Sequence, residues 1–169
     1  MKVQRYSFLL GLLAVIFSMM SCGKGPNISD VPSLEYTGIS KDTIKQSLVT
    51  DDSFILYVHI EDGDGDIGDD TATNGFNFFI KDSRTGEDYD QPYLIPMVPE
   101  GLSKNGVFID LELRLFPPCC IYPDNTFPCE ISEVFPLDSL QLEISLMDRA
   151  GNLSNTVTSD YLYLRCNEE

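Results

Sequence analysis

An unusual density of aspartate marks one short segment of the chain. Between Glu61 and Asp70 the sequence reads EDGDGDIGDD. Carboxylates at alternate positions of a loop can converge on a hard cation, and the intervening glycines allow the tight backbone curvature that this requires. Without a cation, like charges about 4 Å apart repel by roughly 1 kcal/mol per pair in water. The segment therefore predicts a calcium loop, with a solvated acidic turn as the alternative.

This loop differs from an EF-hand in two positions. Ile67 occupies the place of the usual glycine, and Thr73 stands where a bidentate glutamate would close the site. No helical pattern flanks the loop on either side. We therefore expect a calcium loop that connects two β-strands.

Short β-strands are the elements predicted to position this loop. Apolar clusters recur in short runs bounded by Gly, Pro, Asn and Asp, and no long stretch keeps a helical period. In the clearest run, apolar residues at odd positions from Val107 to Leu115 alternate with Phe108, Asp110, Glu112 and Arg114, so the odd positions should face a core. The pattern predicts an all-β fold, a seven-stranded immunoglobulin-like (Greek-key) β-sandwich. Its strands are expected near residues 33–39, 54–61, 76–81, 89–97, 107–116, 140–148 and 156–164.

The connection before the last predicted strand reads DRAGNLSN, from Asp148 to Asn155. Gly151 and Asn152 tolerate left-handed backbone angles, which suits a tight turn. A strand ending in Asp, followed by Ala-Gly-Asn and a Ser, is similar to the last hairpin of bacterial immunoglobulin-like and cadherin-like domains. Together with the DGDGDIG loop, it resembles small lipid-anchored immunoglobulin-like proteins of Gram-negative bacteria, over roughly residues 34–164. Most of these have no assigned activity, so the resemblance implies a fold rather than a function.

A sandwich of this kind brings the acidic loop and the hairpin together. The loop after the second strand and the loop before the last strand emerge at the same end. The first strand also starts there, so Asn27 or Asp30 could approach the site and a cation could stiffen the preceding segment. The predicted calcium ligands are Asp62, Asp64, Asp66, Asp69, Asp148 and Asn152.

The N-terminus predicts export and lipidation. Lys2 and Arg5 precede an apolar run of about 13 residues, shorter than the roughly 20 that a membrane-spanning helix needs. The sequence Met-Met-Ser-Cys ending at Cys22 resembles a bacterial lipobox; an ordinary signal peptide with an incidental Cys22 is the alternative. We expect a lipoprotein signal peptide (1–21), a tether (22–32) and one domain (33–169). Because Gly23 rather than Asp follows Cys22, the lipid anchor is expected at the outer membrane of a Gram-negative cell, in either leaflet.

The chain has four further cysteines, an even number, and the cysteines of an exported chain are usually oxidised to disulfides. Adjacent cysteines rarely bridge to each other. Two pairings of Cys119, Cys120, Cys129 and Cys166 therefore stay open: Cys119 with Cys129 and Cys120 with Cys166, or the exchanged partners. A zinc site is the rival interpretation, although the spacing is not that of a zinc module. These cysteines are expected at the end of the domain opposite the acidic loop.

The long connection that carries the cysteines also contains apolar residues interrupted by prolines. Such long loops tend to be functional or to fold as compact local units. Tyr122 and Phe127 are the residues predicted to contact a partner, and the alternative is that they cap the open end of the sandwich.

Charge and composition exclude several classes of function. The net charge of −16 disfavours nucleic acid and anionic lipid as partners. His59 is the only histidine, it lies mid-strand, and the sequence has no hydrolase or phosphate-binding motif, so we do not expect an enzyme. We predict an outer-membrane binding or accessory module. The alternatives are an adaptor in an envelope uptake assembly, or a carbohydrate-binding protein that stacks sugars on Tyr57, Tyr89, Tyr93, Tyr161 or Tyr163.

Overall fold

Nine β-strands make up the regular structure of the residues that the structure describes. The computed structural model describes residues 28–47, 52–69, 76–89, 93–99, 106–124 and 126–167, and no α-helix occurs within these ranges. The strands are β1 (Ser33–Ile39), β2 (Thr43–Lys45), β3 (Phe54–Asp62), β4 (Phe78–Asp82), β5 (Val107–Leu115), β6 (Leu137–Leu140), β7 (Leu142–Leu146), β8 (Val157–Thr158) and β9 (Leu162–Arg165). The fold is all-β, as the sequence predicted.

The strands form three small sheets. In the first, β1, β3 and β5 pair antiparallel with β3 in the middle. In the second, β9 lies between β6, which is antiparallel to it, and β2, which is parallel. In the third, β7 lies between β4 and β8, both antiparallel. Only Gln141 separates β6 from β7, so one extended run of chain passes from the second sheet into the third.

All three sheets contribute to one hydrophobic core. Every second residue of β3 is buried, and β5 and β7 show the same alternation between more buried and more exposed residues. The prediction that odd-numbered residues of β5 face inward is confirmed, since Val107 and Leu115 are buried and the residues between them alternate. Burial of these apolar side chains supplies the main stabilisation of the fold, at about 25 cal/mol per Å² of apolar surface.

Two predicted strands are each divided in the structure. The run expected over 140–148 is split between β6 and β7, and the run over 156–164 is split between β8 and β9. Ser159 occupies the second break, where its hydroxyl accepts a hydrogen bond from the backbone N–H of Leu142 at 2.8 Å. A side chain thus replaces the regular ladder at this position, which residue periodicity alone does not indicate.

The strand expected over 89–97 is not formed among the described residues of that range. Tyr93 pairs with Phe78 as an isolated bridge, and Pro96 forms another with Asp69. Prolines at positions 92 and 96 lack the N–H that a continuous ladder requires. This segment therefore follows the edge of β4 without becoming a full strand.

Two disulfides fasten the long connection between β5 and β6. We call residues 116–136 the stapled loop. Of the two pairings left open by the sequence, the structure has Cys119 with Cys129 and Cys120 with Cys166. The loop follows the last residue of β5, whereas the first residue of β5, Val107, pairs with Asp62. The stapled loop and the acidic loop therefore lie at opposite ends of β5, as expected.

Candidate metal site

The side chain of Asp62 points into the protein because it continues the alternation of β3. Every second residue from Phe54 to Asp62 is buried, and the last position of this inward face is an aspartate instead of an aliphatic residue. Asp62 is 0% exposed. A carboxylate at such a position needs compensation, since burial strongly disfavours an unpaired charge.

The chain turns sharply after Asp62 and lies in close contact with the segment that precedes β1. The backbone N–H of Gly63 donates a hydrogen bond to the carbonyl oxygen of Ser29 at 2.7 Å. A Cβ at position 63 would collide with the backbone of Ile28 and Ser29, so only glycine fits there. The segment before β1 thus reaches the acidic loop, as expected. Asn27 lies outside the described residues.

Three aspartates of the loop converge on one point. Oxygen atoms of Asp62, Asp64 and Asp66 all lie within 4.8 Å of one another. The backbone N–H of Asp66 donates to the Oδ2 atom of Asp62 at 3.0 Å and lies 3.4 Å from the Oδ1 atom of Asp64. These bonds fold the loop back on the end of β3 and place the three carboxylates on the same side.

Two carboxylate oxygens at this site are buried and unpartnered. The Oδ1 atoms of Asp62 and Asp66 make no hydrogen bond within the described part of the chain. Buried polar atoms in folded proteins nearly always have a partner, so these two oxygens are exceptions that require an explanation. No Lys or Arg of the described ranges forms a salt bridge with Asp62, Asp64 or Asp66.

The pKa values at the site reflect burial and the mutual repulsion of the carboxylates, which the charge of Arg149 offsets only in part at Asp66. Burial, reinforced by the charges of Asp64 and Asp66, raises the pKa of Asp62 to about 6. Burial also raises the pKa of Asp66, with the charges of Asp148 and Asp64 acting in the same direction. Three carboxylates thus share a small, partly buried volume, which is the ligand pattern of a divalent cation site.

The hairpin after β7 packs against this loop. The backbone N–H of Ala150 donates to the Oδ2 atom of Asp66 at 3.0 Å. The Nη1 atom of Arg149 donates to the carbonyl oxygens of Ile67 at 3.3 Å and Gly68 at 3.1 Å. This role of Arg149 was not predicted, and the one sequence signal for it is that Arg149 is the single cationic residue of the hairpin.

Asp148 and Asn152 lie at the same end of the molecule as the acidic loop, as expected, but their side chains bond to each other. The two carboxylate oxygens of Asp148 accept hydrogen bonds from the backbone N–H and the side-chain amide of Asn152, at 2.7 and 2.8 Å. Among the described residues, the converging set contains only Asp62, Asp64 and Asp66. Asp148 contributes charge near Asp66, whereas its oxygens hold the turn.

Asp69 is directed elsewhere. Its backbone pairs with the segment containing Ile95 and Pro96. Together with Asp148 and Arg149, Asp69 lines a cavity of about 300 Å³ beside the hairpin. It does not join the three converging aspartates in the described structure. Asp70 lies outside the described residues.

The two residues predicted to contact a partner have different environments. Tyr122 is only 7% exposed, and its hydroxyl donates to the carbonyl oxygen of Glu130 inside the stapled loop. It holds the loop together, and the expectation that it faces a partner does not agree with this burial. Phe127 is 73% exposed. The lipidation candidate, Cys22, lies outside the described residues.

The three converging carboxylates have the donor chemistry of a cation site. Calcium prefers six to eight oxygen ligands, including carboxylates, backbone carbonyls and water, and tolerates irregular geometry. Asp62 and Asp66 each present an unpartnered oxygen, and the exposed Asp64 adds a third carboxylate on the open side. The donor set therefore fits calcium with water completing the coordination.

Comparison with known proteins identified no match. No protein family, curated protein or solved structure matches it. Within the described ranges, no helix has the length and apolar character needed to cross a bilayer.

Proposed function

We propose that this chain is a calcium-stabilised binding or accessory module of the bacterial cell envelope, and not an enzyme. The observation that carries the proposal is the fully buried carboxylate of Asp62, whose Oδ1 atom has no protein partner and faces two further aspartates. An ion in this position would supply the missing partner for the unpaired oxygens and offset the mutual repulsion of the three charges.

Calcium in this role is structural. It would connect the end of β3 with the segment before β1 and with the hairpin after β7. Gly63 is bonded to Ser29, and Asp66 is bonded to Ala150, so three separate parts of the chain meet at the acidic loop. Ordering of this loop would then fix the orientation of the domain relative to the segment that precedes it.

The finer fold assignment is part of the same proposal. We infer an immunoglobulin-like, Greek-key β-sandwich, in which the β1–β3–β5 sheet forms one layer and the other two sheets form the opposite layer. Support comes from the shared hydrophobic core and from the way that β6 continues into β7 across Gln141. In this arrangement the second and third sheets act as one bent sheet.

The envelope location rests on the N-terminal sequence. Cys22, preceded by a basic and then apolar segment, is the proposed site of a lipid that holds the protein at the outer membrane. Mass spectrometry of the protein purified from membranes tests this directly. An acylated Cys22 at the N-terminus is expected, and an unmodified Cys22 in the mature chain would contradict it.

Isothermal titration calorimetry with calcium chloride tests the calcium site. The full chain, purified in detergent after treatment with a chelator, should bind calcium at one site. Asp62→Asn should abolish this binding, because it removes the charge and one carboxylate oxygen at the buried position while keeping the side-chain shape. Asp110→Asn is the matched control, since Asp110 is a strongly exposed aspartate on β5.

Three outcomes of that titration separate cleanly. Binding that is lost in Asp62→Asn and kept in Asp110→Asn supports the site. Absence of heat at millimolar calcium, with no change in melting temperature, contradicts it. Binding that survives in Asp62→Asn contradicts it as well, because the ion would then lie elsewhere.

A second candidate function is favoured by the exposure of the stapled loop. Phe127 is 73% exposed and Val134 is 77% exposed, on a loop that two disulfides hold in one shape. A rigid apolar projection of this kind suits an adaptor that docks on another envelope protein. Phe127→Asp should abolish co-purification with a single envelope protein, and unchanged co-purification would contradict the adaptor function.

A further inference from the structure

A groove lies between the β1–β2 connection and the start of β9. It is lined by residues of 38–42 on one side and by Asp160, Tyr161 and Tyr163 on the other, and its volume is about 560 Å³. Small-molecule sites in proteins typically enclose about 300–1,000 Å³. We call this feature the tyrosine groove. None of its lining residues belongs to the candidate calcium site.

Two tyrosine rings form a platform on the groove. Tyr161 is 54% exposed and Tyr163 is 38% exposed, and their ring centroids are 6.3 Å apart with an angle of 30° between the ring planes. Tyr163 belongs to the outward face of β9, where its cross-strand neighbours are Thr43 and Ser139. These small hydroxyl residues on both sides leave the ring accessible from solvent.

The polar groups around the platform are positioned by the backbone. The N–H of Tyr163 donates to the carbonyl oxygen of Asp42 at 2.7 Å. The hydroxyl of Tyr36 donates to the Oδ2 atom of Asp160 at 3.3 Å. In the described structure the hydroxyls of Tyr161 and Tyr163 make no protein hydrogen bond. The groove thus combines flat aromatic surface with hydroxyl donors and carboxylate acceptors.

The charge of the groove limits its ligands. Lys41 is the one cation in the lining, and it forms a salt bridge with Asp52. Asp42 and Asp160 have no salt-bridge partner among the described residues. Acidic ligands should therefore be repelled, whereas neutral or amino-bearing ligands are compatible with the groove.

We propose that the tyrosine groove binds a neutral or amino-bearing oligosaccharide. A pyranose ring has a flat face of C–H groups that packs on an aromatic ring, and its hydroxyls donate to carboxylates and accept from phenols. The two rings lie at a shallow angle and form an extended platform, whereas a cage for one ammonium group needs aromatic faces directed at the same point. A chain of adjacent sugar units fits this geometry better than a compact cation.

A glycan array carrying neutral, amino-bearing and uronic-acid oligosaccharides tests the assignment, with the full chain purified in detergent as the probe. Calorimetry with chitotetraose, a glucosamine tetramer and choline chloride then compares the ligand classes in solution. The variants are Tyr161→Ala, Tyr163→Ala and Asp160→Asn. Phe108→Ala is the control, because Phe108 is an exposed aromatic residue, 56% accessible, on the strand β5.

Binding of a neutral or amino sugar is expected, with a loss of about tenfold or more in affinity in each tyrosine variant and no change in Phe108→Ala. Far-ultraviolet circular dichroism and the melting temperature of each variant show that the fold is retained. Three results would overturn the proposal: no neutral or amino sugar binds, uronic-acid sugars bind best, or choline binds and sugars do not. Equal binding by the tyrosine variants and the parent chain would overturn the location. Because the groove is separate from the acidic loop, sugar binding and calcium binding can fail independently.

Discussion

Two groups of aspartates lie at opposite ends of the molecule, each with one buried member, Asp62 or Asp82, and they differ in their partners. At the end that carries the stapled loop, Arg84 lies between Asp82 and Asp138. Its Nη2 atom is 2.6 Å from the Oδ2 atom of Asp82, and its Nη1 atom bonds to Asp138. Asp138 also accepts backbone hydrogen bonds from Ile121 and Ser139. At the acidic end, no salt bridge to Asp62, Asp64 or Asp66 forms among the described residues, and Arg149 lies near Asp66 but bonds to the carbonyl oxygens of Ile67 and Gly68. The first group is paired with a cation of the chain, whereas the second has no salt bridge within the described residues.

This difference indicates which aspartates are structural and which are available to a ligand. A buried ion pair with all its hydrogen bonds made is complete, and removing one partner leaves an uncompensated charge. An unpaired buried carboxylate is already in that condition. We therefore assign a structural role to the aspartates beside Arg84, and the proposed binding role to those of the acidic loop.

The largest change in stability is expected when the internal cation, Arg84, is removed. Arg84→Met should destabilise the protein by about 3–5 kcal/mol, because Asp82 and Asp138 would be left without their counter-charge. Urea unfolding in the presence of a chelator measures this. Replacing both aspartates by asparagine in the Arg84→Met background should restore part of the stability. A loss below about 1 kcal/mol would show that Arg84 is not needed to neutralise them.

Removing a charge at the acidic end should stabilise the protein instead of destabilising it. With calcium chelated, Asp62→Asn should stabilise the protein by about 3 kcal/mol near neutral pH, because each pKa unit corresponds to about 1.4 kcal/mol and the pKa of Asp62 is raised from 3.8 to about 6. The free energy of unfolding from urea denaturation checks this. A destabilised Asp62→Asn variant under chelation would mean that the carboxylate already has a partner in the protein.

Lowering the pH should partly remove the unfavourable charge of buried Asp62. Between the unfolded pKa of 3.8 and the folded value of about 6, folded Asp62 holds a proton that the unfolded chain has released. Its contribution therefore becomes more favourable as the pH falls through 6 and less favourable as the pH rises. Under chelation, lowering the pH from about 7.5 to about 5 should stabilise the parent chain by about 1 kcal/mol relative to Asp62→Asn. Equal pH profiles of the two proteins would contradict this account.

The smallest effect should come from an aspartate on the surface. Asp110 is 89% exposed, and its Oδ1 atom is 2.7 Å from the Nδ1 atom of His59. This hydrogen bond, partly opposed by burial, raises the pKa of His59. Asp110→Asn should lower the pKa of His59, as measured by NMR titration, and change the stability by no more than about 0.5 kcal/mol. A change as large as that of Arg84→Met would remove the distinction between buried and exposed aspartates.

Much of the fold follows from periodicity in the sequence. The alternation of apolar and polar residues is strong in β3 and β5, and both strands form close to their expected limits. It is weak in β2, whose three residues pair in parallel with β9, so that strand could not be predicted from periodicity. The breaks at Gln141 and Ser159 depend on tertiary hydrogen bonds, which local patterns do not contain.

The candidate site was predictable in composition and only partly in geometry. The regular spacing of Asp62, Asp64 and Asp66 indicated a shared ligand, and these three side chains do converge. The bonding of Asp148 to Asn152 could not be anticipated, because a turn that satisfies its own carboxylate looks the same in sequence as one that presents it to an ion. The burial of Asp62 did have a signal, namely that it extends the inward face of β3.

The most direct test of the account is the effect of calcium on the unfolding free energy of the parent chain near neutral pH. At a calcium concentration about a hundredfold above the dissociation constant, the free energy of unfolding should rise by about 2.7 kcal/mol relative to the chelated protein. Asp62→Asn should show no such increase. An unfolding free energy that is the same with millimolar calcium and with chelator would contradict the claim that the buried aspartates are completed by an ion.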